Sequence, residues 1–340
     1  MSRSIVFALG LVLSMLTLAA PVAACGGLIG PNGAVNLLRT TTFVGYHDGV
    51  EHYVTAFQFA GGGGKFGSLT PLPGVPSNVE RGGAWTLQRL VRETQPIKAL
   101  APAAFGAERN ALDRVEILLE TTIDALDITV LKGGGAAVGE WATAHGFRLP
   151  ADAPEVLDFY ANRSPIFLAA AFDADAAAAR GQRIGDGTPV HITIPTSNPW
   201  VPLRILALGK QGNDPVQADV YLLTDRKPAI LPLARGANGL TLAYDQSASK
   251  PLLDDLRSDA GMGWVPANGW LSQLRIDTNA STLSYDLAID VQGHSPSRVA
   301  AGLETPGSSD PTPIALTMLA AAMAALILVA LREQRRTVSA

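Results

Sequence analysis

Residues 43–57 read FVGYHDGVEHYVTAF, and this stretch indicates the fold class more clearly than any other part of the chain. Phe43–His47 and Val50–Phe57 are rich in β-branched and aromatic residues, which favour strands. The pair Asp48-Gly49 between them is typical of the type I′ turn that closes a two-residue β-hairpin. The stretch therefore predicts two adjacent antiparallel strands.

The hairpin also predicts where two histidines lie. With a two-residue turn, His47 pairs with Val50 and His52 pairs with Gly45, so both imidazoles lie on the same face of the ribbon. Two imidazoles on one face could begin a metal site, but a zinc site takes three or four ligands. No third ligand is evident at a suitable spacing. We therefore predict a solvated hairpin tip, no metal and no cofactor.

The residues that follow extend the β pattern over most of the chain, with a few helical segments between the strands. The helices are too few and too irregularly placed for a repeated βαβ unit, so a doubly wound sheet is disfavoured. We predict an α+β head domain over residues 25–292, with mostly antiparallel strands. An alternative is two related lobes, divided near 133–135 or 174–187. The predicted helices are Ala84–Thr94, Gly139–His145, Glu155–Ala161 and Leu252–Asp259; the predicted strands include Ile128–Leu131, Ile166–Phe172, Leu203–Leu208 and Val216–Leu223.

Residues 314–331, IALTMLAAAMAALILVAL, predict a transmembrane helix. Seventeen of these eighteen residues are apolar and none is charged. As a helix the run is ~27 Å long, close to the ~30 Å hydrocarbon core of a bilayer. Residues 332–340 follow with three arginines, and basic residues beside a span tend to stay cytoplasmic. The preceding chain would then lie outside the membrane.

The N-terminus agrees with that orientation. Residues 1–24 contain Arg3, an apolar stretch and then small residues, which is the layout of a signal peptide. Cleavage would leave Cys25, the only cysteine in the chain, as the first residue. VAAC resembles a bacterial lipobox, so Cys25 is a candidate for lipid attachment; ordinary cleavage without lipid is the alternative. We predict a single-pass protein of the bacterial cell membrane with its head outside the cytoplasm.

Composition limits the partners. The chain carries a net charge of −4, and removing the +1 of the signal peptide and the +2 of the C-terminal tail leaves −7 on the exported part. No basic patch interrupts this acidic balance, so a nucleic-acid partner is not expected. Residues 293–313 are dense in Pro, Gly, Ser and Thr, which predicts a linker between the head and the membrane.

Several segments resemble one bacterial family, the domain of unknown function 2330. Ala24-Cys25-Gly26-Gly27 resembles the start of its mature chains, and residues 57–61 with 66–76 (FQFAG and FGSLTPLPGVP) resemble its aromatic and Pro-x-Pro segment. Residues 140–147 and 201–205 resemble two further pieces, in the same order. The resemblance implies an exported protein with a C-terminal membrane helix and no known activity. This chain lacks the second cysteine found in many members, and Ser68 replaces an aromatic residue.

Two further patterns bear on function. Trp200, Trp264 and Trp270 lie among Pro, Gly and Asn, and aromatics on loops can form sugar- or peptide-binding surfaces; packing over the sheet is the alternative. Ser247 and Lys250 match the S-x-x-K spacing of serine acyl-enzymes. Pro251 disfavours the helix that such a pair needs, and the companion motifs are absent from the sequence.

From these patterns we predict a membrane-anchored binding or scaffold protein whose partner is an unknown protein or a cell-wall ligand. The alternatives are an envelope hydrolase or transpeptidase that uses Ser247 and Lys250, and an accessory subunit of a membrane complex. The sequence favours no catalytic residue.

Overall fold

In the computed structural model, the predicted hairpin forms from Thr40–His47 and Val50–Gln58. Asp48 and Gly49 both have positive φ angles, 50° and 79°, as a type I′ turn requires. His47 pairs with Val50 and Gly45 with His52, which confirms the predicted register. The structure describes residues 27–30, 33–34, 40–58, 65–94, 116–179, 181 and 187–307.

The described elements comprise strands and a smaller number of short helices. The strands are β1 (Gly27–Gly30), β2 (Gly33–Ala34), β3 (Thr40–His47), β4 (Val50–Gln58), β5 (Lys65–Pro71), β6 (Asn78–Arg81), β7 (Glu116–Ile123), β8 (Leu126–Lys132), β9 (Ile166–Asp173), β10 (Gly187–Pro195), β11 (Trp200–Val201), β12 (Pro215–Thr224), β13 (Ala229–Leu231), β14 (Leu240–Ser247), β15 (Trp270–Asn279) and β16 (Leu287–Asp290). The helices are α1 (Thr86–Thr94), α2 (Gly135–Ala144), α3 (Ala153–Ala161), α4 (Ala174–Ala179) and α5 (Lys250–Ser258), with 3₁₀ turns at Arg204–Ala207 and Ala280–Thr282.

Two large sheets contain most of the strands. The first has the order β14-β15-β12-β3-β4-β10-β6, and all of its neighbours are antiparallel except β12 and β3. The second has the order β2-β1-β5-β9-β8-β7 and is antiparallel throughout. A small third sheet has the order β11-β16-β13. The predicted α+β class with mostly antiparallel strands is confirmed.

Side chains alternate between the two faces of each strand, so the core consists of three clusters. One lies between the two large sheets, and one lies between each sheet and the helices on its outer side. On β3, Val44 packs with residues of both large sheets, including Leu168 of β9, so those sheets face each other. The neighbouring Phe43 points the other way and packs against α1 and α5. On the far side of the second sheet, Phe167 packs against α2 and α3. The head is thus a four-layer arrangement, helices–sheet–sheet–helices.

A buried carboxylate fixes the C-terminal part of the head. Asp286, fully buried, accepts hydrogen bonds from Tyr160 Oη at 2.9 Å and from the backbone N–H groups of Leu203 and Arg204 at 2.7 and 3.0 Å, and it pairs with Arg163. The backbone N–H groups of Leu203 and Arg204 thus bond to a side chain and not to a neighbouring strand. For this reason the strand predicted at Leu203–Leu208 is wrong, and the segment forms a 3₁₀ turn instead.

The folded head extends further than predicted. Arg163 donates to the carbonyl oxygens of Val299 and Ala300, and Ala301 is fully buried. The compact unit continues to Leu303, so residues 293–303 belong to the head and not to a linker. Residues 1–24, Cys25 and the predicted membrane helix at 314–331 lie outside the described residues. None of the helices within the described residues has both the length and the apolar composition of a membrane span.

Candidate functional site

The hairpin carries two histidines on the outer face of the first sheet, where α1 and α5 also pack. His52 is only 9% exposed, whereas the side chain of His47 is 34% exposed. The predicted solvated tip therefore describes His47 but is wrong for His52. The cause is a distant part of the chain, residues 259–265, which folds over the hairpin. We call this segment the covering loop.

A third histidine joins the first two across the strands. His191 on β10 pairs with Val54 of β4, one step along the same face from His52. Its Nε2 lies 2.9 Å from His52 Nδ1, and its Nδ1 lies 3.2 Å from Glu80 Oε1 on the edge strand β6. Glu80, His191, His52 and His47 thus follow one another across four strands. We call these four residues the histidine row.

The other end of the row is held by acidic side chains at the surface. His47 Nδ1 lies 2.6 Å from Asp225 Oδ1, and its Nε2 lies 3.3 Å from Asp48 Oδ2. Within the described residues, no group of three His, Cys, Asp or Glu side chains is placed to hold a metal ion. Hydrogen bonds link Glu80, His191 and His52 in a line, and His47 continues the row with Asp225 as its own partner.

Trp264 of the covering loop stacks directly on His52. The two ring centroids are 3.8 Å apart and the planes differ by 2°. The indole occupies the space above Gly45, where an added Cβ would lie 2.1 Å from Trp264 Cη2. Only glycine leaves that space free, which explains a glycine in the middle of a buried strand. Trp264 itself remains half-buried.

The covering loop is fixed at both ends. Met262 and Val265 are buried in the cluster under α1 and α5. The Asp259 carboxylate accepts hydrogen bonds from Ala84 N, Trp85 N and Thr86 Oγ1 at 3.1, 3.0 and 2.9 Å. At the other end, the Arg257 guanidinium donates to the carbonyl oxygen of Val265 at 2.9 Å. The stacking of Trp264 is therefore part of an ordered loop.

Burial keeps both inner imidazoles neutral. The pKa of His52 is lowered to about 3. Burial is the main cause, and the neighbouring imidazoles of His191 and His47 contribute to the same shift. Burial also lowers the pKa of His191, although the Glu80 carboxylate opposes that shift. At neutral pH the two imidazoles therefore share one hydrogen bond as uncharged groups.

The three tryptophans that the sequence suggested as a binding surface lie in three different environments. Trp200 is only 3% exposed, and its ring lies 5.8 Å from that of Tyr160 in the core, so it forms no part of a binding surface. Trp270 is half-buried and donates through Nε1 to Asp245 at 2.6 Å. Its neighbour Leu271 packs under the helices, so Trp270 lies on the opposite face of the sheet from Trp264.

Ser247 and Lys250 do not form the helical pair that the S-x-x-K chemistry requires. Ser247 is the last residue of β14, and the N-cap of α5 is Ser249, whose Oγ accepts a hydrogen bond from Leu252 N. Lys250 Nζ lies 2.7 Å from Asp254 and is exposed. Proline at the first turn of α5 is compatible with a helix start.

A buried carboxyl group on the opposite face of β4 gave no signal in the sequence. Glu51 is fully buried, and one oxygen accepts a hydrogen bond from Trp200 N at 3.2 Å. The other oxygen, Oε1, is buried without a partner in the described structure. Burial raises the pKa of Glu51 to about 8, and the bond from Trp200 only partly opposes that shift.

By its fold the chain is a four-layer α+β domain with two mostly antiparallel sheets. It belongs to the family described as "Uncharacterized protein conserved in bacteria (DUF2330)", whose model matches residues 19–289. The resemblance seen in the sequence is thereby confirmed. No curated protein matches the chain.

Among solved structures, the chain is similar to baculovirus P35. A mutated P35 after caspase cleavage shows 8% identity and a TM-score of 0.39, over 76% of this chain and 98% of that chain. P35 in its complex with caspase-8 shows 8% identity and a TM-score of 0.39, over 74% and 95%.

Proposed function

We propose that this protein is a binding module held at the outer side of the bacterial cell membrane, and that it binds cell-wall material at the surface around Trp264. The membrane part of the proposal rests on the sequence patterns of residues 1–24 and 314–331. The binding part rests on one observation, the half-buried indole stacked on a buried, hydrogen-bonded pair of histidines.

Two buried imidazoles lower the stability of a fold. Each loses its hydration and is kept neutral by burial, and an apolar pair of similar volume would fill the same space at lower cost. Titratable groups with strongly shifted pKa values cluster at functional sites. A binding role gives a reason for retaining the pair.

The sheet face that carries His52 also carries polar side chains suited to a ligand with polar groups. Thr193 pairs with His52 across β4 and β10, and Asn78 pairs with Thr193 on β6, so both lie on the same face. Thr193 is half-buried and Asn78 is exposed. Aromatic rings together with a few polar groups are the usual composition of a small-ligand site.

Co-sedimentation with purified peptidoglycan sacculi tests this proposal, using the full chain in mild detergent. We expect Trp264→Ala to weaken binding by about tenfold or more, the loss typical of a central aromatic contact. Trp270→Ala is the matched control, since it removes a half-buried indole from the opposite face of the same sheet. Its binding should stay within about twofold of wild type.

Three results would count against the proposal. Equal losses in both variants would indicate a general effect on folding, and a loss in Trp270→Ala alone would place the surface on the other face. No binding by the wild-type chain, together with a stoichiometric protein partner, would favour an accessory subunit of a membrane complex.

A further inference from the structure

The hydrogen bond between the two inner histidines has a direction that the structure determines. A neutral imidazole has one N–H donor and one acceptor nitrogen. In the 2.9 Å contact between His52 Nδ1 and His191 Nε2, therefore, one nitrogen donates and the other accepts. The positions of the protons follow from the partners of the remaining nitrogens.

Glu80 decides between the two arrangements. Its ionised carboxylate can only accept, so His191 Nδ1, 3.2 Å away, must carry a proton. In neutral His191 the Nε2 atom then has a lone pair, and it accepts from His52 Nδ1–H. The opposite arrangement would point a nitrogen lone pair at the carboxylate. Glu80 thus fixes the tautomer of His191, and His191 fixes that of His52.

We propose that Glu80 and His191 act as positioning residues that leave an unprotonated Nε2 on His52, and that this nitrogen accepts a hydrogen bond from a sugar hydroxyl. The ligand part of this inference rests on the proposed function, whereas the tautomer part does not. Two tautomers are assigned, the Nδ1–H form for both His191 and His52.

The chemistry of the site selects a hydrogen-bond donor and excludes ionised anions. His52 Nε2 has no hydrogen-bond partner among the described residues, and an acceptor left without one in a mostly buried ring is costly. Carboxylate and phosphate groups that are fully ionised have no proton to donate to it. The indole of Trp264 lies against the same ring and is half-buried, and the exposed part of an aromatic ring offers the apolar surface on which a sugar ring packs.

Long-range ¹H–¹⁵N NMR of the full chain labelled with ¹⁵N-histidine tests the tautomers directly, because the shifts of the two ring nitrogens identify which one is protonated. We expect both His52 and His191 to be protonated at Nδ1 at neutral pH. Glu80→Leu removes the acceptor and should abolish this preference. Glu80→Gln keeps a carbonyl acceptor at the same place and should preserve it. Since the Glu80 side chain is 45% exposed, both variants are compatible with folding.

The same spectra test the ligand. An N-acetylglucosamine tetramer should shift the His52 Nε2 signal in the wild-type chain, and Glu80→Leu should reduce its affinity by about tenfold or more while Glu80→Gln restores it. A proton on His52 Nε2 in the free protein would overturn the tautomer assignment. Correct tautomers with no response of Nε2 to the tetramer would overturn the sugar assignment, and sacculus binding that still depends on Trp264 would show that the proposed function survives.

Discussion

Glu51 illustrates how one residue can set the pH response of the whole fold. It lies on β4 beside His52 in sequence but on the opposite face, where it is fully enclosed. Because burial raises the pKa of Glu51 from 4.5 to about 8, the folded protein retains a proton that the unfolded chain releases between those two values. Stability contributed by the neutral carboxyl is therefore present at pH 4.5 and is lost as the pH rises towards 8.

Replacing this carboxyl by an amide should remove that loss. We expect the free energy of unfolding of the wild-type protein to fall by about 3 kcal/mol between pH 4.5 and pH 7 through Glu51, since each pKa unit corresponds to ~1.4 kcal/mol. For Glu51→Gln, the free energy of unfolding measured with urea should change by about 3 kcal/mol less across this pH range. Glu116→Gln, which changes an exposed carboxylate at 59% side-chain exposure, provides the control. Parallel pH profiles for wild type and Glu51→Gln would contradict the burial argument.

The element that matters most for the site is the covering loop. Its position depends on Asp259, which is buried and accepts from three groups around the start of α1. Ala84 and Asp259, which one of these bonds joins, are 175 positions apart in the sequence. A sequence pattern of local spacing does not contain such a contact. The covering loop was therefore absent from the sequence-based interpretation.

Removing the Asp259 carboxylate should loosen this element selectively. We expect Asp259→Ala to reduce the free energy of unfolding by about 2 kcal/mol, the upper range for loss of a capping side chain. Amide hydrogen exchange should rise in residues 84–86 and 259–265 and stay unchanged in β9. Asp255→Ala breaks the partly exposed ion pair with Arg89 and should cost less than about 1 kcal/mol. Equal destabilisation by the two variants would argue against a specific role for Asp259.

Elements with a strong local signal were predicted well. The Asp48-Gly49 turn identified β3 and β4 and their register, because that turn type needs residues tolerant of positive φ. The strand β15 was missed because Trp270 follows a run of Gly, Pro and Asn that is typical of loops. Residues 271–274 of β15 are all buried, since both faces of the central strands are covered, and the alternation expected of a half-exposed strand is lost.

The candidate site was only partly predictable, because some of its contacts join residues that are far apart in the sequence. The shared face of His47 and His52 follows from one turn, whereas the contact of His52 with His191 depends on the pairing of β4 with β10, 139 residues apart. Trp264 was identified by its residue type and its loop composition. Its stacking on His52 above Gly45 depends on tertiary packing, which local patterns do not encode.

At the scale of the whole molecule, the outer face of the first sheet carries the site at the hairpin, where the covering loop lies over His52 and Trp264 remains half-buried. Helices α1 and α5 pack on another part of that face. The site therefore lies on strands held from both sides, which favours a precise arrangement of its side chains. The proposed binding surface lies on this arrangement, and the proposed location outside the membrane rests on the sequence patterns of residues 1–24 and 314–331 alone.

The most direct test is photo-crosslinking in cells, with a benzophenone amino acid replacing Asn78 in the full-length chain. Asn78 lies on the same face as His52, two strands away, and is exposed. The same probe replacing Glu116 on the edge strand of the second sheet is the control. We predict a light-dependent adduct with cell-wall material from position 78, none from position 116, and loss of the adduct in Trp264→Ala. Equal adducts from both positions, or an adduct at 78 that Trp264→Ala leaves unchanged, would contradict a binding surface at Trp264.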